Sequence, residues 1–126
     1  MPNVSTIMHK HIVGVAETTS ISYAAKLINV NKVPSLPVLR DGRIVGILSE
    51  EAVDKFFKKH GNNEQDIKVG SIMDETFYFV EMNDDIADAA RVMVSRKITR
   101  LPVVNNKKEM LCVGMITSTD IAANIK

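Results

Sequence analysis

Several things are scarce in this chain of 126 residues. It has one cysteine, no tryptophan, and only 5% aromatic residues. The single thiol, Cys112, has no internal partner, so a disulfide-rich secreted scaffold is excluded and a reducing, cytoplasmic setting is expected. No window approaches the roughly 18 consecutive apolar residues that a membrane-crossing helix needs. The opening, Met1-Pro2-Asn3-Val4-Ser5-Thr6, lacks a basic stretch followed by an apolar run, so no signal peptide is expected. Charge of one sign is lacking too. Lys+Arg 16 against Asp+Glu 15 leaves +1, too little to draw in nucleic acid or an anionic membrane by net charge. There is no Ser/His/Asp set, no phosphate-cradling glycine loop, no CxxC pair and no carboxylate pair with an acid/base split, so an enzyme is not expected. What remains, 45% hydrophobic and 25% charged residues, is ordinary globular composition at the length of one domain.

The chain does have an internal repeat. Val4-Ser5-Thr6-Ile7-Met8 returns as Val69-Gly70-Ser71-Ile72-Met73, an offset of 65. Along positions 4–41 and 69–106, 11 of 38 pairs are identical, among them Ala24-Ala25 with Ala89-Ala90, Lys32 with Lys97, and Leu36-Pro37-Val38 with Leu101-Pro102-Val103. The offset then becomes 68, pairing Val45-Gly46 with Val113-Gly114. The second copy carries three extra residues around Asn106-Lys107-Lys108-Glu109, where a loop tolerates them.

Each copy reads as β-α-β-β-α. Ile12–Val15 and Phe77–Val80 are apolar runs expected as strands. Ser20 and Asp85 stand at N-cap positions before Ile21/Ala24/Ala25/Ile28 and Ile86/Ala89/Ala90/Met93, the stripe of an amphipathic helix. These helices should end near Asn31 and Lys97. Arg40-Asp41-Gly42-Arg43 marks a tight hairpin, since Asp-Gly accepts the positive φ of a two-residue turn. Second helices follow Ser49 and Thr117/Ser118, with apolar faces Ala52/Val53/Phe56/Phe57 and Ile121/Ala122/Ile125. The expected division is 1–60 and 69–126 with a polar linker at 61–68. A unit of about 60 residues is marginal alone. The two are therefore expected to pack sheet to sheet around a pseudo-twofold axis and share a core, with a cleft between like surfaces as a natural ligand site.

Gly114-Met115-Ile116-Thr117-Ser118-Thr119-Asp120 lies at a strand-to-helix junction and admits two readings. Thr117 and Asp120 have the spacing of a capping box. The same junction offers free N–H groups and hydroxyls to a phosphate, and a carboxylate whose two oxygens match the two donors of a ribose diol. One oxygen can cap while the other binds. Arg100, in Ile98-Thr99-Arg100-Leu101-Pro102-Val103, is either a forked phosphate clamp or a solvated surface arginine. Arg91, Arg96 and Lys97 either extend a basic patch around it or are dispersed surface charge. Pro102 either offers a flat apolar face to a purine or starts an edge strand. His9 and His11 are too few for a metal site and read as exposed histidines. Cys112, in an apolar run, reads as an inert thiol.

The duplicated unit, with its Ile7-Met8 and Ile72-Met73 openings, its Leu36-Pro37-Val38 and Arg100-Leu101-Pro102-Val103 strands, and its glycine-initiated endings, resembles the cystathionine-β-synthase-type (CBS) domain. Residues 4–125 look like a tandem pair, a Bateman module of the α+β class. The resemblance implies a regulatory module binding an adenosyl compound such as AMP, ADP or ATP, alternatively S-adenosylmethionine or NAD, in the cleft between repeats. It further implies that Asp120 holds the ribose diol and that Thr117 and Thr119 contact ribose or phosphate. Arg100 would meet phosphate, and the backbone near Phe79-Val80 with Pro102 would line the adenine slot. The ACT-type regulatory repeat is the runner-up fold, but it does not predict the Gly-x-x-Thr-x-Thr-Asp ending.

Copy one departs from the pattern. Ser49 matches Thr117, but Glu51 replaces Thr119, Ala52 replaces Asp120 and Ser35 stands in the place of Arg100. One site with the full pattern is therefore expected per chain, headed by Asp120 in copy two, with the copy-one position empty, weak or selective for an uncharged adenosyl group, and with no other cofactor and no metal. CBS pairs commonly form flat dimers through helices, so a homodimer through exposed faces at Phe56/Phe57 and Ile121/Ile125 is expected, with a regulated protein as a further partner. The alternative function is a structural or dimerisation module in which Asp120 only caps.

Overall fold

A computed structural model describes residues 2–61 and 67–124, so positions 62–66 of the expected linker and Ile125 lie outside the described residues. The expected element order appears twice. The first series is β1 (Val15–Ala16), α1 (Ile21–Asn31), β2 (Ser35–Arg40), β3 (Arg43–Ser49) and α2 (Glu50–His60). The second is β4 (Val80–Glu81), α3 (Ile86–Arg96), β5 (Arg100–Val104), β6 (Cys112–Thr117) and α4 (Ser118–Asn124). A three-residue 3-10 turn precedes each series, at Val4–Thr6 and Val69–Ser71. Each series forms a three-stranded sheet with the middle strand parallel to the first and antiparallel to the third. Both sheets carry a register shift at the same repeat position, Val38/Leu39 and Val103/Val104.

Local sequence accounts for the element ends. The Ser20 hydroxyl accepts from the Tyr23 N–H at 3.2 Å, and Ser49 from the Ala52 N–H at 3.0 Å. Asp85 occupies its N-cap position without a side-chain cap bond. The repeated lysines close α1 and α3 in the left-handed conformation, with φ of 53° at Lys32 and 56° at Lys97. Asp41 and Gly42 have φ of 53° and 81°, so the hairpin forms as expected.

The first strands are shorter than the apolar runs suggest. Only two residues of each pair, Val15-Ala16 with Val38-Leu39 and Val80-Glu81 with Val103-Val104. The parallel pairing begins just after Pro37 and Pro102, which have no N–H to give. On the other side these prolines face Ile47 and Met115, whose own N–H and C=O groups turn outward to Asp74 and His9. Each proline thus occupies a ladder position where no hydrogen bond is needed. Pro102 lies within a central strand and does not start an edge strand.

The compact units do not coincide with the sequence repeats. One unit is Val13–Phe77; the other joins the segment up to Ile12 to the residues from Tyr78 onward. The cuts at 12/13 and 77/78 differ from the expected 60/69 division because the repeats exchange their openings. Val4 is buried with Val80, Ile86, Leu101, Val103, Ile116 and Ile121, all from the second repeat. Val69 is buried with Val15, Ile21, Leu36, Val38 and Leu48 of the first. Each unit has its own core, completed by the other repeat's opening. Each of these valines is fully buried, worth about 1.5–3 kcal/mol.

Strand edges fix the exchange. His9 and Met115 bond N–H to C=O both ways at 2.8 and 2.9 Å, and Asp74 and Ile47 do the same at 2.8 and 2.9 Å. The residue before each strand partner is a glycine. A Cβ on Gly114 would lie 2.7 Å from Met8 Sδ and 2.8 Å from the His9 carbonyl oxygen. On Gly46 it would lie 2.7 Å from Met73 Sδ and 3.1 Å from the Asp74 oxygen. The Ile-Met openings and the Val-Gly strands are therefore two halves of one contact.

The helix faces expected to be exposed are core. Phe56 is 9% and Ile121 5% exposed, because α2 and α4 each turn that stripe toward their own sheet. The most exposed large apolar residues among the described ones are on other helices, Val30 and Tyr23 of α1 and Val94 of α3, with Ile67 and Tyr78 less exposed outside the helices.

Gly114→Ala should destabilise the protein by about 1–3 kcal/mol, because a backbone carbonyl cannot swing aside as a methionine can. Gly46→Ala should cost less. Gly70→Ala, whose nearest neighbour would be Glu17 at 3.4 Å, should stay within about 0.5 kcal/mol of wild type. Urea unfolding midpoints of the three variants check this order.

Candidate functional site

The pairing of β5 with β6 sets Arg100 opposite Thr117 and Pro102 opposite Met115. Residues two apart on a strand share a face, so Arg100, Pro102, Thr117 and Met115 lie on one side of the sheet. Leu101, Val103 and Ile116 fill the core on the other side. α4 starts directly after Thr117, which brings Asp120 back to the strand end.

There the capping box is realised in full. The Thr117 N–H donates to Asp120 Oδ2 at 3.0 Å, and the Asp120 N–H donates to Thr117 Oγ1 at 3.1 Å. The other carboxylate oxygen, Oδ1, is 2.9 Å from His9 Nε2. Burial works to raise the Asp120 pKa. Hydrogen bonds from Thr117 and His9, with the charge of His9, outweigh it and hold the carboxyl below the ordinary aspartate value. Arg100 is governed first by burial, which lowers its pKa, and then by the charge of Asp120, which raises it. Its Nε is buried and has no hydrogen-bond partner among the described residues. An unmet charged donor in that position is costly.

The other expected residues fall out as follows. Thr119 is exposed on the first turn of α4, and Pro102 is buried. The Val80 side chain belongs to the core, so only its backbone is left to line a slot, and Phe79 beside it is half-buried. Arg91 pairs with Asp88, and Arg96 lies over the Tyr78 ring, 4.9 Å from its centre, so neither extends the Arg100 site as a free cation. The Cys112 thiol is pushed up by burial, against a weaker contact of 3.8 Å to the Gly114 carbonyl, which suits an inert thiol. His9 is the site residue that sequence reasoning missed. Its one signal was its place directly after the repeated Ile-Met, next to the glycine-bearing strand.

The first unit has the same scaffold without these groups. Ser35 faces Ser49 in register, and Ser49 caps α2 through Ala52, which has no carboxylate. Glu50 and Glu51 are exposed on its first turn, Glu51 reaching Lys55 at 3.9 Å. Asp74 stands in the place of His9.

The profile of the CBS domain matches residues 4–59 and again residues 69–126. The chain belongs to the CBS domain family. A CBS domain-containing protein of Dictyostelium discoideum is 30% identical over 94% of the chain and 87% of its own length. Inosine-5'-monophosphate dehydrogenase of Thermoplasma acidophilum is 27% identical over 96% of the chain, which spans only 23% of that enzyme. Among solved structures, CBSX2 in complex with AMP superposes with a TM-score of 0.79 at 27% identity, covering 98% of this chain and 95% of that one. The two series of elements are thus the two CBS domains of a tandem pair, α+β in class.

Thr117→Ala should lower the stability of the CBS pair by about 0.5–2 kcal/mol through loss of the cap. The stabilisation from Asp120 is present above the ordinary aspartate value of 3.8 and is lost as pH falls through the lower folded value. Asp120→Asn should therefore be less stable than wild type at neutral pH, and the gap should close in acid. Urea unfolding at pH 7 and pH 3 measures both.

Proposed function

We propose that this CBS pair is a regulatory module that binds an adenosyl compound of the AMP, ADP or ATP class at the Arg100–Asp120 site of its second repeat. The observation that carries this reading is the buried Arg100 Nε without a partner. It is an unmet cationic donor on the same sheet face as Thr117, beside a carboxylate that can only accept. Phosphate oxygens satisfy the first and ribose hydroxyls the second. Thr117 and Thr119 add hydroxyls, and Pro102 with the backbone at Phe79-Val80 offers an apolar strip for the base. The AMP held by CBSX2 supports the ligand class.

The first repeat lacks both charged groups and carries Glu50 and Glu51 instead, so one ligand binds per chain. Occupancy is passed to a regulated protein or to a second copy, since a ligand that binds two states unequally shifts their balance. Val30 and Val94, at 77% and 79% exposed, are the apolar groups that a homodimer through helices would cover. The lone, half-buried Cys112 suits a cytoplasmic protein, and no helix among the described residues is long and apolar enough to cross a membrane.

A second reading has its own observation. Both oxygens of Asp120 already have partners, as they would in a purely structural module. Calorimetry and thermal melts against AMP, ADP, ATP, NAD, S-adenosylmethionine and adenosine separate the two. An adenine nucleotide at 100 times its Kd should stabilise the chain by about 2.7 kcal/mol, with one site per chain. Arg100→Gln should weaken AMP about tenfold or more, and adenosine far less. A flat panel establishes the structural reading, and two equal sites contradict the assignment to one repeat.

A further inference from the structure

The second unit fills its own carboxylate with a side chain from the far end of the chain. The backbone of His9 is fixed on both sides of its residue by the bonds to Met115, with Met8 seated against Gly114. From that anchored position Nε2 lies 2.9 Å from Asp120 Oδ1, while Oδ2 takes the Thr117 N–H. Each oxygen of the carboxylate thus has a donor before any ligand arrives.

The two donors are not equivalent. The Thr117 N–H is part of the helix cap, within the same turn as the carboxylate. The His9 side chain is 61% exposed, against 17% for Asp120, so water receives the imidazole as soon as it lets go. His9 is the donor that gives way.

We propose that His9 is an intramolecular competitor at this site: its imidazole holds the Asp120 oxygen that a ligand's hydroxyl pair takes, and binding exchanges one for the other. The inference rests on the adenosyl reading above. It sets the affinity of the site below what Arg100, Thr117 and Asp120 would give without His9. It also ties occupancy to the N-terminal segment, because the group released follows directly on the Met8 anchor. The first unit supplies the contrast. Where His9 would stand it has Asp74, whose Oδ1 turns to the Thr76 N–H at 3.0 Å, and where Asp120 would stand it has Ala52. The competitor occurs in the repeat that has a carboxylate to compete for.

Calorimetry with AMP on the full chain and on His9→Ala tests this, with NMR of the His9 imidazole in the wild type as a second measurement. His9→Ala should bind AMP about tenfold more tightly, the factor set by one hydrogen bond to a charged group. The wild-type His9 signals should move as AMP saturates. Equal or weaker AMP binding by the variant, or His9 signals unmoved at saturation, overturns the competitor while leaving the adenosyl reading intact. Absence of AMP binding by both proteins overturns the adenosyl reading and the competitor with it.

Discussion

The outer edge of each sheet is where the chain's two repeats depend on each other. On β3 and β6 a glycine is followed by a residue whose N–H and C=O both point away from the sheet, and the opening of the other repeat binds there. An uncovered edge of this kind invites pairing with another chain. Here it is covered from within, at a separation that leaves no room for a Cβ. The buried valines follow from the same contact, since Val4 and Val69 reach their cores only because the segments that carry them are held at those edges. A half-length repeat, marginal by size, is completed by borrowing.

That edge also places the site. His9 stands next to Asp120 because Met8 is seated on Gly114, and Asp120 faces the end of β5 because Arg100 and Thr117 are register partners. The carboxylate then serves two ends at once. One oxygen completes a helix cap, and the other is held by an imidazole in solvent. The capping and binding interpretations of the Thr117–Asp120 motif are thus compatible, because a carboxylate has two oxygens and the cap uses one. The charges of the two CBS domains differ while their backbones agree, down to the same register shift. A shared scaffold with unshared side chains is how the Arg100, Asp120 and His9 groups come to stand together in one repeat and not in the other.

Much of this was legible from residue order. The repeat, the helices with their Ser20 and Ser49 caps, the Asp41-Gly42 hairpin and the second-helix stripes are local patterns, set by a few neighbouring residues and the period of the helix. The α+β CBS class follows from their order. The strand runs misled at Ile12–Val15 and Phe77–Val80, since apolar character marks burial and only a partner with a free N–H makes a ladder. The faces at Phe56 and Ile121 misled for a related reason: an amphipathic stripe states that something covers it, and here the sheet of the same unit does.

Sequence alone determined the two-fold repetition, the element types and the asymmetry of charge between the copies, because each is carried by residues close together in the chain. It also singled out Thr117, Arg100 and Asp120. Tertiary structure decided which opening completes which core, why Gly46 and Gly114 follow valine in both copies, and that His9 rather than any neighbour in sequence meets Asp120. Those three facts rest on contacts between residues far apart in the chain, such as Val4 with the second repeat, Gly46 with Asp74, and His9 with Asp120 across 111 positions. No local period encodes such separations, and only the pairing of strand edges brings them within bonding distance.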